Sequence, residues 1–128
     1  MTSSSVRLAL RQRLTTALRE RDKPTAAAMR SAIAALENAE AVPTSQDAVA
    51  ATSQHVAGAA VGVGAAEAER LALDDAAESA ILRAEVDSLL EAAREYESLG
   101  QVERAAEARA AADELSTVVH SHLGTTWG

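Results

Sequence analysis

Apolar residues recur at helical spacing in two stretches near the amino terminus. In the first they recur every four residues, at Val6, Leu10, Leu14 and Leu18, which predicts a helix over about residues 6–21. The second stripe, Met29, Ile33 and Leu36, predicts a helix over about residues 24–41. Because proline is tolerated in a first helical turn, Pro24 is expected to begin this helix. The corner between the two is short, so we predict an antiparallel hairpin.

A second helical hairpin is predicted in the carboxy-terminal half. Asp75 is expected to cap its first helix, with Glu78 completing a capping box, and Gly100 is expected to end that helix in the left-handed conformation. The last helix is predicted over about residues 102–120, and residues 121–128 are expected to fray. The facing positions step by three and four residues along both helices: Leu82, Val86, Leu89, Ala93 and Tyr96, then Val102, Ala105, Ala108 or Arg109, Ala112, Leu115 and Val119.

The two hairpins are separated by a stretch of different character. Residues 43–73 begin with Pro43 and a polar run, and they continue into a small-residue segment with Gly58, Gly62 and Gly64. This stretch is predicted to be a long flexible connection. We therefore expect residues 1–128 to form a single all-α domain, a four-helix bundle-like fold of two antiparallel helical hairpins joined by a long loop.

Composition changes this picture in three respects. Alanine makes up about a quarter of the 128 residues; it favours helices but buries little area, so a thin core is expected. The chain has no cysteine, which excludes disulfides, thiolate metal sites and cysteine nucleophiles. No secretory signal is visible after Met1, and the longest apolar stretch, residues 56–66, is too short to span a membrane, so a cytoplasmic location is expected.

The formal net charge of −7 is distributed unevenly along the chain. Residues 1–30 hold seven cations against two acids, a net charge of +5, which leaves −12 for the other 98 residues. A basic end of this kind can mark an anion-binding face. It can also be complemented by the acidic body, either within the fold or across a dimer. The sequence leaves both interpretations open.

Two parts of the chain together resemble one protein family. The first is the leading hairpin, with Leu18, Arg21-Asp22-Lys23, Met29-Arg30, Ile33 and Glu37-Asn38-Ala39-Glu40. The second is the hairpin hinged on a glycine, with Glu85, Ala93, Tyr96, Gly100, Ala105, Glu107 and Leu115. As an ordered set over residues 6–120, these positions resemble the amino-terminal helical domain of the GatB/YqeY family.

This resemblance carries expectations about fold and function. It implies a small helical bundle related to the tail of the B subunit of the glutamine-dependent aminoacyl-tRNA amidotransferase. That enzyme is a carbon–nitrogen ligase with glutamine as amido donor, and its tail contacts tRNA. The resemblance therefore implies an amidotransferase-like, tRNA-associated accessory domain.

The residues themselves indicate no catalytic site. Glutamine-dependent amide transfer needs a nucleophile with a partnering base, and no serine here is patterned with a histidine and an acid. Glu37, Glu40 and Glu85 are able to approach one another, but nothing distinguishes them from ordinary helix charges. No cofactor and no metal site are expected, because His120 and His122 are two residues apart and do not share a helix face.

Two functions from different classes remain open. In the first, RNA phosphates bind the cations around the first corner, because phosphate contact needs only convergent positive charge. Those cations are Arg19, Arg21, Lys23 and Arg30. In the second, a second copy of the chain or another helical protein covers apolar stripes that the thin core leaves exposed. The partners expected are thus tRNA, a second copy of the chain or a helical protein, and no membrane is expected. Arg30 is able to contact an anion, but it is equally able to pair with Glu37 or Glu85 within the bundle.

Overall fold

The computed structural model describes the backbone of residues 4–54 and 73–123, and the side chains of residues 4–41 and 73–123. In these ranges the chain forms four α-helices and no strand. The helices are α1 (Ser5–Glu20), α2 (Lys23–Gln54), α3 (Asp75–Ser98) and α4 (Val102–Leu123). The predicted all-α fold class, a bundle-like arrangement of helices, is confirmed.

The corner between α1 and α2 is closed by backbone hydrogen bonds. Arg21 adopts the left-handed conformation with φ 60°, and the next residue, Asp22, donates its N–H to the Ala17 carbonyl at 2.8 Å. The Arg21 N–H donates to the Leu18 carbonyl at 3.2 Å, which completes a Schellman motif. Asp22 then caps α2, since its Oδ1 accepts the N–H of Thr25 at 3.3 Å. With so short a connection, α2 runs back along α1.

The predicted end of helix two at residue 41 is wrong, because α2 continues through Pro43 to Gln54. A proline within a helix lacks one backbone N–H and costs about 3 kcal/mol, which favours a stop without enforcing it. Ala48, Ala50 and Ala51 follow, and alanine has the strongest helix propensity. The predicted start of the flexible connection at residue 43 is therefore wrong as well, since residues 43–54 are helical. Within the predicted connection, residues 55–72 lie outside the described residues.

The start of α3 also differs from the prediction, by one residue. Asp74 is the cap, and its Oδ1 accepts the Ala77 N–H at 2.8 Å, so the predicted capping box of Asp75 with Glu78 is wrong. Glu78 falls one position too late to reach back to the cap and is buried instead. The other end of α3 follows the prediction, because Gly100 has φ +78° and closes a second Schellman motif.

The last helix extends further than predicted. α4 includes residues 121–123 of the predicted frayed tail, and His122 Nδ1 lies 3.2 Å from the Ser5 hydroxyl oxygen. Residues 124–128 lie outside the described part of the chain. Ala108 rather than Arg109 is the buried one of the two alternatives, whereas Val102, expected inside, is 71% exposed because it begins α4 directly at the corner.

The four helices pack around a central α2–α4 contact. α1 lies against α2 and α4 on one side, and α3 lies against the same two helices on the other. Short buried side chains, Ala32 on α2 with Ala111 and Ala112 on α4, allow this close approach. The core residues come from all four helices: Val6, Leu10, Met29, Leu36, Leu82, Val86, Leu115 and Val119. Both hairpin corners lie at one end of the bundle, called the corner end below, since Lys23 shares a groove with Tyr96 and Arg104.

Candidate binding site at the corner end

The four predicted anion-binding residues are all exposed. Arg19 is in the last turn of α1, Arg21 is the left-handed corner residue, and Lys23 begins α2. Within the described residues, none of these three pairs with a carboxylate. The structure therefore places three side chains with unneutralised positive charge within five residues of one another at the corner.

Arg30 is separated from the other three cations. It lies seven residues beyond Lys23, about 10 Å further along α2 at the helical rise per residue. It lines a shallow groove between α1 and α2, together with Arg11 and Glu37. Neither of its predicted partners pairs with it. Glu37 lies 3.4 Å from Arg11 instead, and Glu85 accepts a hydrogen bond from the Ser31 hydroxyl at 2.7 Å.

The remaining cations of the basic segment are neutralised within the fold. Arg7 makes two 2.9 Å contacts with the carboxylate of Glu40, and Arg13 lies 2.9 Å from Glu114. Arg11 reaches Glu37 from the neighbouring helix. Within the described residues, Arg7, Arg11 and Arg13 therefore complement acids in the fold, whereas Arg19 and Arg21 pair with no carboxylate.

A buried cluster joins three helices at the end opposite the corners. The Nε of Arg7 on α1 lies 3.9 Å from Glu78 on α3, while the terminal nitrogens of Arg7 bind Glu40 on α2. The side chains of Arg7 and Glu78 are 11% and 3% exposed. Glu40 thus pairs with Arg7, and Glu37 pairs with Arg11. The two glutamates do not face each other as a pair of carboxylates.

A groove of about 610 Å³ opens between α2, α3 and α4 at the corner end. Five alanines line it, and their short side chains leave the space between the three helices unfilled: Ala27, Ala28, Ala92, Ala108 and Ala111. Its polar residues include Lys23 on α2, Tyr96 on α3 and Arg104 on α4. The guanidinium carbon of Arg104 lies 6.0 Å from the centre of the Tyr96 ring, a cation–π distance.

Sequence reasoning missed Arg104, although a signal for it exists. In an antiparallel helical hairpin, residues at equal distance from the corner face each other. Tyr96 and Arg104 are each four residues from Gly100, so the predicted hinge already pairs them. The groove itself has no such local signal, because its third wall comes from α2, which is distant in sequence from α3 and α4.

One further ion pair lies close to the second corner. The Arg109 guanidinium donates to the Glu97 carboxylate at 2.6 Å. This hydrogen bond lowers the pKa of the Glu97 carboxyl and raises the pKa of the Arg109 guanidinium. Both side chains are exposed, so the pair contributes little to stability.

The described residues gather no three side chains able to share a metal ion. His120 and His122 are exposed on α4, while His55 lies outside the described residues. None of the four described helices is long and apolar enough to cross a membrane.

Comparisons with family models, with curated proteins and with solved structures found no match to this chain.

Proposed function

We propose that this chain is a GatB/YqeY-like accessory domain that contacts tRNA through the corner between α1 and α2 and has no catalytic site of its own. The observation that carries the proposal is the contrast among the basic residues. Arg7, Arg11 and Arg13 are neutralised by carboxylates, whereas in the described part of the chain Arg19 and Arg21 are left without one. Uncompensated cations at one exposed end are what phosphate contact requires.

The conformation of Arg21 supports the same proposal. Arg21 and Gly100 occupy equivalent left-handed positions of two Schellman motifs. Glycine is the preferred residue there, and a side chain costs about 1 kcal/mol. A cation at a position that favours glycine fits a role in binding. The acidic body would repel RNA elsewhere, which leaves the corner as the favourable contact.

Reversing charge at the corner tests this function. The double variant Arg19→Glu/Arg21→Glu is expected to lower affinity for tRNA roughly tenfold or more at low salt, because two phosphate contacts become repulsive. The measurement is filter binding or fluorescence anisotropy with total tRNA.

A matched double variant provides the control for this test. Arg83→Glu/Arg94→Glu reverses two exposed arginines of α3 that, like the corner pair, have no carboxylate partner among the described residues. We expect its tRNA affinity to stay within about twofold of that of the unmodified chain, because Arg83 and Arg94 lie on α3 and not at the corner between α1 and α2. The two doubles change net charge equally, so a general charge effect would lower both affinities alike. An equal loss of affinity in both double variants contradicts the proposal.

A second function, a helical protein–protein interaction module, is favoured by a different observation. Three large apolar side chains are exposed at or near the corner end: Leu18 (48%), Leu99 (64%) and Val102 (71%). Exposed large apolar residues at one end of a bundle are able to serve an interface, so this end would be covered by a second copy or by another helical protein.

Light scattering at low and high salt tests for the homodimer. The expected result is a dimer that becomes monomeric in the triple variant Leu18→Ser/Leu99→Ser/Val102→Ser. The single variant Leu8→Ser, which changes an exposed leucine in the first half of α1, is the control. A monomer at every concentration and salt excludes self-association and leaves only a different protein as partner.

A further inference from the structure

The groove between α2, α3 and α4 contains the ring of Tyr96 and two positively charged side chains, Lys23 and Arg104, on two of its walls. Tyr96 is partly buried and packs against the alanine cluster of Ala93, Ala105 and Ala108. No other described residue is a phenylalanine, tyrosine or tryptophan. Tyrosine rings are surfaces on which nucleic-acid bases stack, and a nearby arginine supplies positive charge for a phosphate.

The charges along the groove are ordered. Lys23 and Arg104 lie near the corners on walls formed by different helices, and neither pairs with a described carboxylate. Glu107 is one helical turn further from the corner than Arg104. Glu85 is further still, eleven residues or about 16 Å from Tyr96 along α3. A phosphate is therefore favoured only near the corners, and a long phosphate backbone is repelled from the inner part.

We propose that this groove binds one nucleoside monophosphate unit, with the base stacked on Tyr96 and the phosphate between Lys23 and Arg104. The carboxylate of Glu107 is then placed to accept hydrogen bonds from the ribose hydroxyls. The volume of about 610 Å³ falls within the range of pockets that bind small molecules. This inference rests on the proposed function, because it adds a base-recognition element beside the corner. The unit can come from a free nucleotide or from an unpaired nucleotide of an RNA.

Titration of the ¹⁵N-labelled full chain with AMP, adenosine and inorganic phosphate tests the proposal by NMR. AMP is expected to shift the amides of groove residues and to bind about tenfold more tightly than either adenosine or phosphate, because the site uses both parts of the ligand. A five-nucleotide single-stranded RNA and a blunt RNA duplex distinguish the two sources. If the RNA source holds, the single strand competes with AMP and the duplex does not; if only AMP binds, the source is the free nucleotide.

Two pairs of variants assign the contacts. Tyr96→Leu keeps an apolar side chain against the alanines but lacks the ring, so AMP binding is expected to weaken about tenfold, whereas Tyr96→Phe stays within about twofold. Arg104→Ala is expected to weaken AMP binding at least about fivefold. The matched exposed arginine variant, Arg94→Ala, lies outside the groove and is expected to have no effect.

The outcomes that overturn the proposal are separate from those that overturn the corner function. Groove amides unmoved by both AMP and the single strand, or equal AMP binding by the Tyr96→Leu variant and the unmodified chain, overturn the nucleotide site. Arg19 and Arg21 do not line the groove. Unchanged tRNA binding on their reversal therefore overturns the corner function without affecting the AMP result.

Discussion

Arg7 shows how a single residue links sequence, packing and stability. Its sequence position places it in the basic amino-terminal segment, yet the fold buries it between two carboxylates, Glu40 and Glu78. A buried ion pair gains little over an apolar replacement of both partners, but removing one partner leaves the other charge buried and uncompensated. Arg7 is therefore expected to stabilise the bundle rather than bind a ligand.

Replacing Arg7 with methionine is expected to lower the free energy of unfolding by about 3 kcal/mol or more, because Glu78 keeps a buried charge without a partner. The measurement is urea denaturation followed by circular dichroism. The double variant Arg7→Met/Glu78→Leu is expected to recover most of this loss, since the two most buried charges are then replaced by apolar groups and the third, Glu40, has a side chain that is 21% exposed to water. Arg109→Ala, which breaks an exposed pair, serves as the control and is expected to cause no resolved change.

The burial of Arg7 could not be predicted from the sequence. Its partners are 33 and 71 positions away along the chain, and local spacing carries no information about such pairs. The exposure of Arg19, Arg21 and Lys23 is consistent with their positions at a corner, where helix ends project away from the core. Whether these three bind an anion stays a prediction.

At the scale of elements, cap residues and apolar spacing account for most of the helix boundaries. Both corners were located because each has a distinct local cause: Asp22 followed by Pro24 at the first, and Gly100 at the second. The end of α2 was not located, because the helical propensity of the alanines after Pro43 opposes the missing hydrogen bond. The local sequence does not show whether the helix propensity or the missing hydrogen bond has the larger effect, because the outcome depends on the rest of the structure.

The two corners permit a direct comparison of residues at equivalent positions. Gly100→Ala is expected to destabilise the chain by about 1 kcal/mol, because an added Cβ meets no neighbouring atom and the cost is the left-handed conformation alone. Arg21→Gly is expected to stabilise it by about 0.5–1 kcal/mol, by removing the same strain. Thermal and urea denaturation measure both effects.

The result to check is that Gly100→Ala and Arg21→Gly change the free energy of unfolding in opposite directions. Destabilisation by Arg21→Gly would mean that the Arg21 side chain makes a stabilising contact in the folded chain. That result would weaken the case for Arg21 as a cation retained for binding at a strained position. Because Arg21→Gly also removes a corner charge, the proposed function predicts weaker tRNA binding by a more stable protein.

At the scale of the whole molecule, small side chains determine both the packing and the open groove. Alanines let α2 and α4 meet at the centre, and alanines on three helices leave the space beside Tyr96 unfilled. The high alanine content predicted a thin core, but the position of the unfilled space depends on how the two hairpins pack together. The same packing neutralises the arginines in the middle of α1 and leaves the corner cations exposed.

The central claim, that the corner binds RNA phosphates, is tested most directly by the salt dependence of tRNA affinity. For the unmodified chain, the logarithm of the association constant is expected to fall linearly with the logarithm of salt concentration. Loss of two phosphate contacts in Arg19→Glu/Arg21→Glu is expected to make this slope shallower by roughly two. A slope identical to that of the unmodified chain, or an equal change in Arg83→Glu/Arg94→Glu, would contradict the claim.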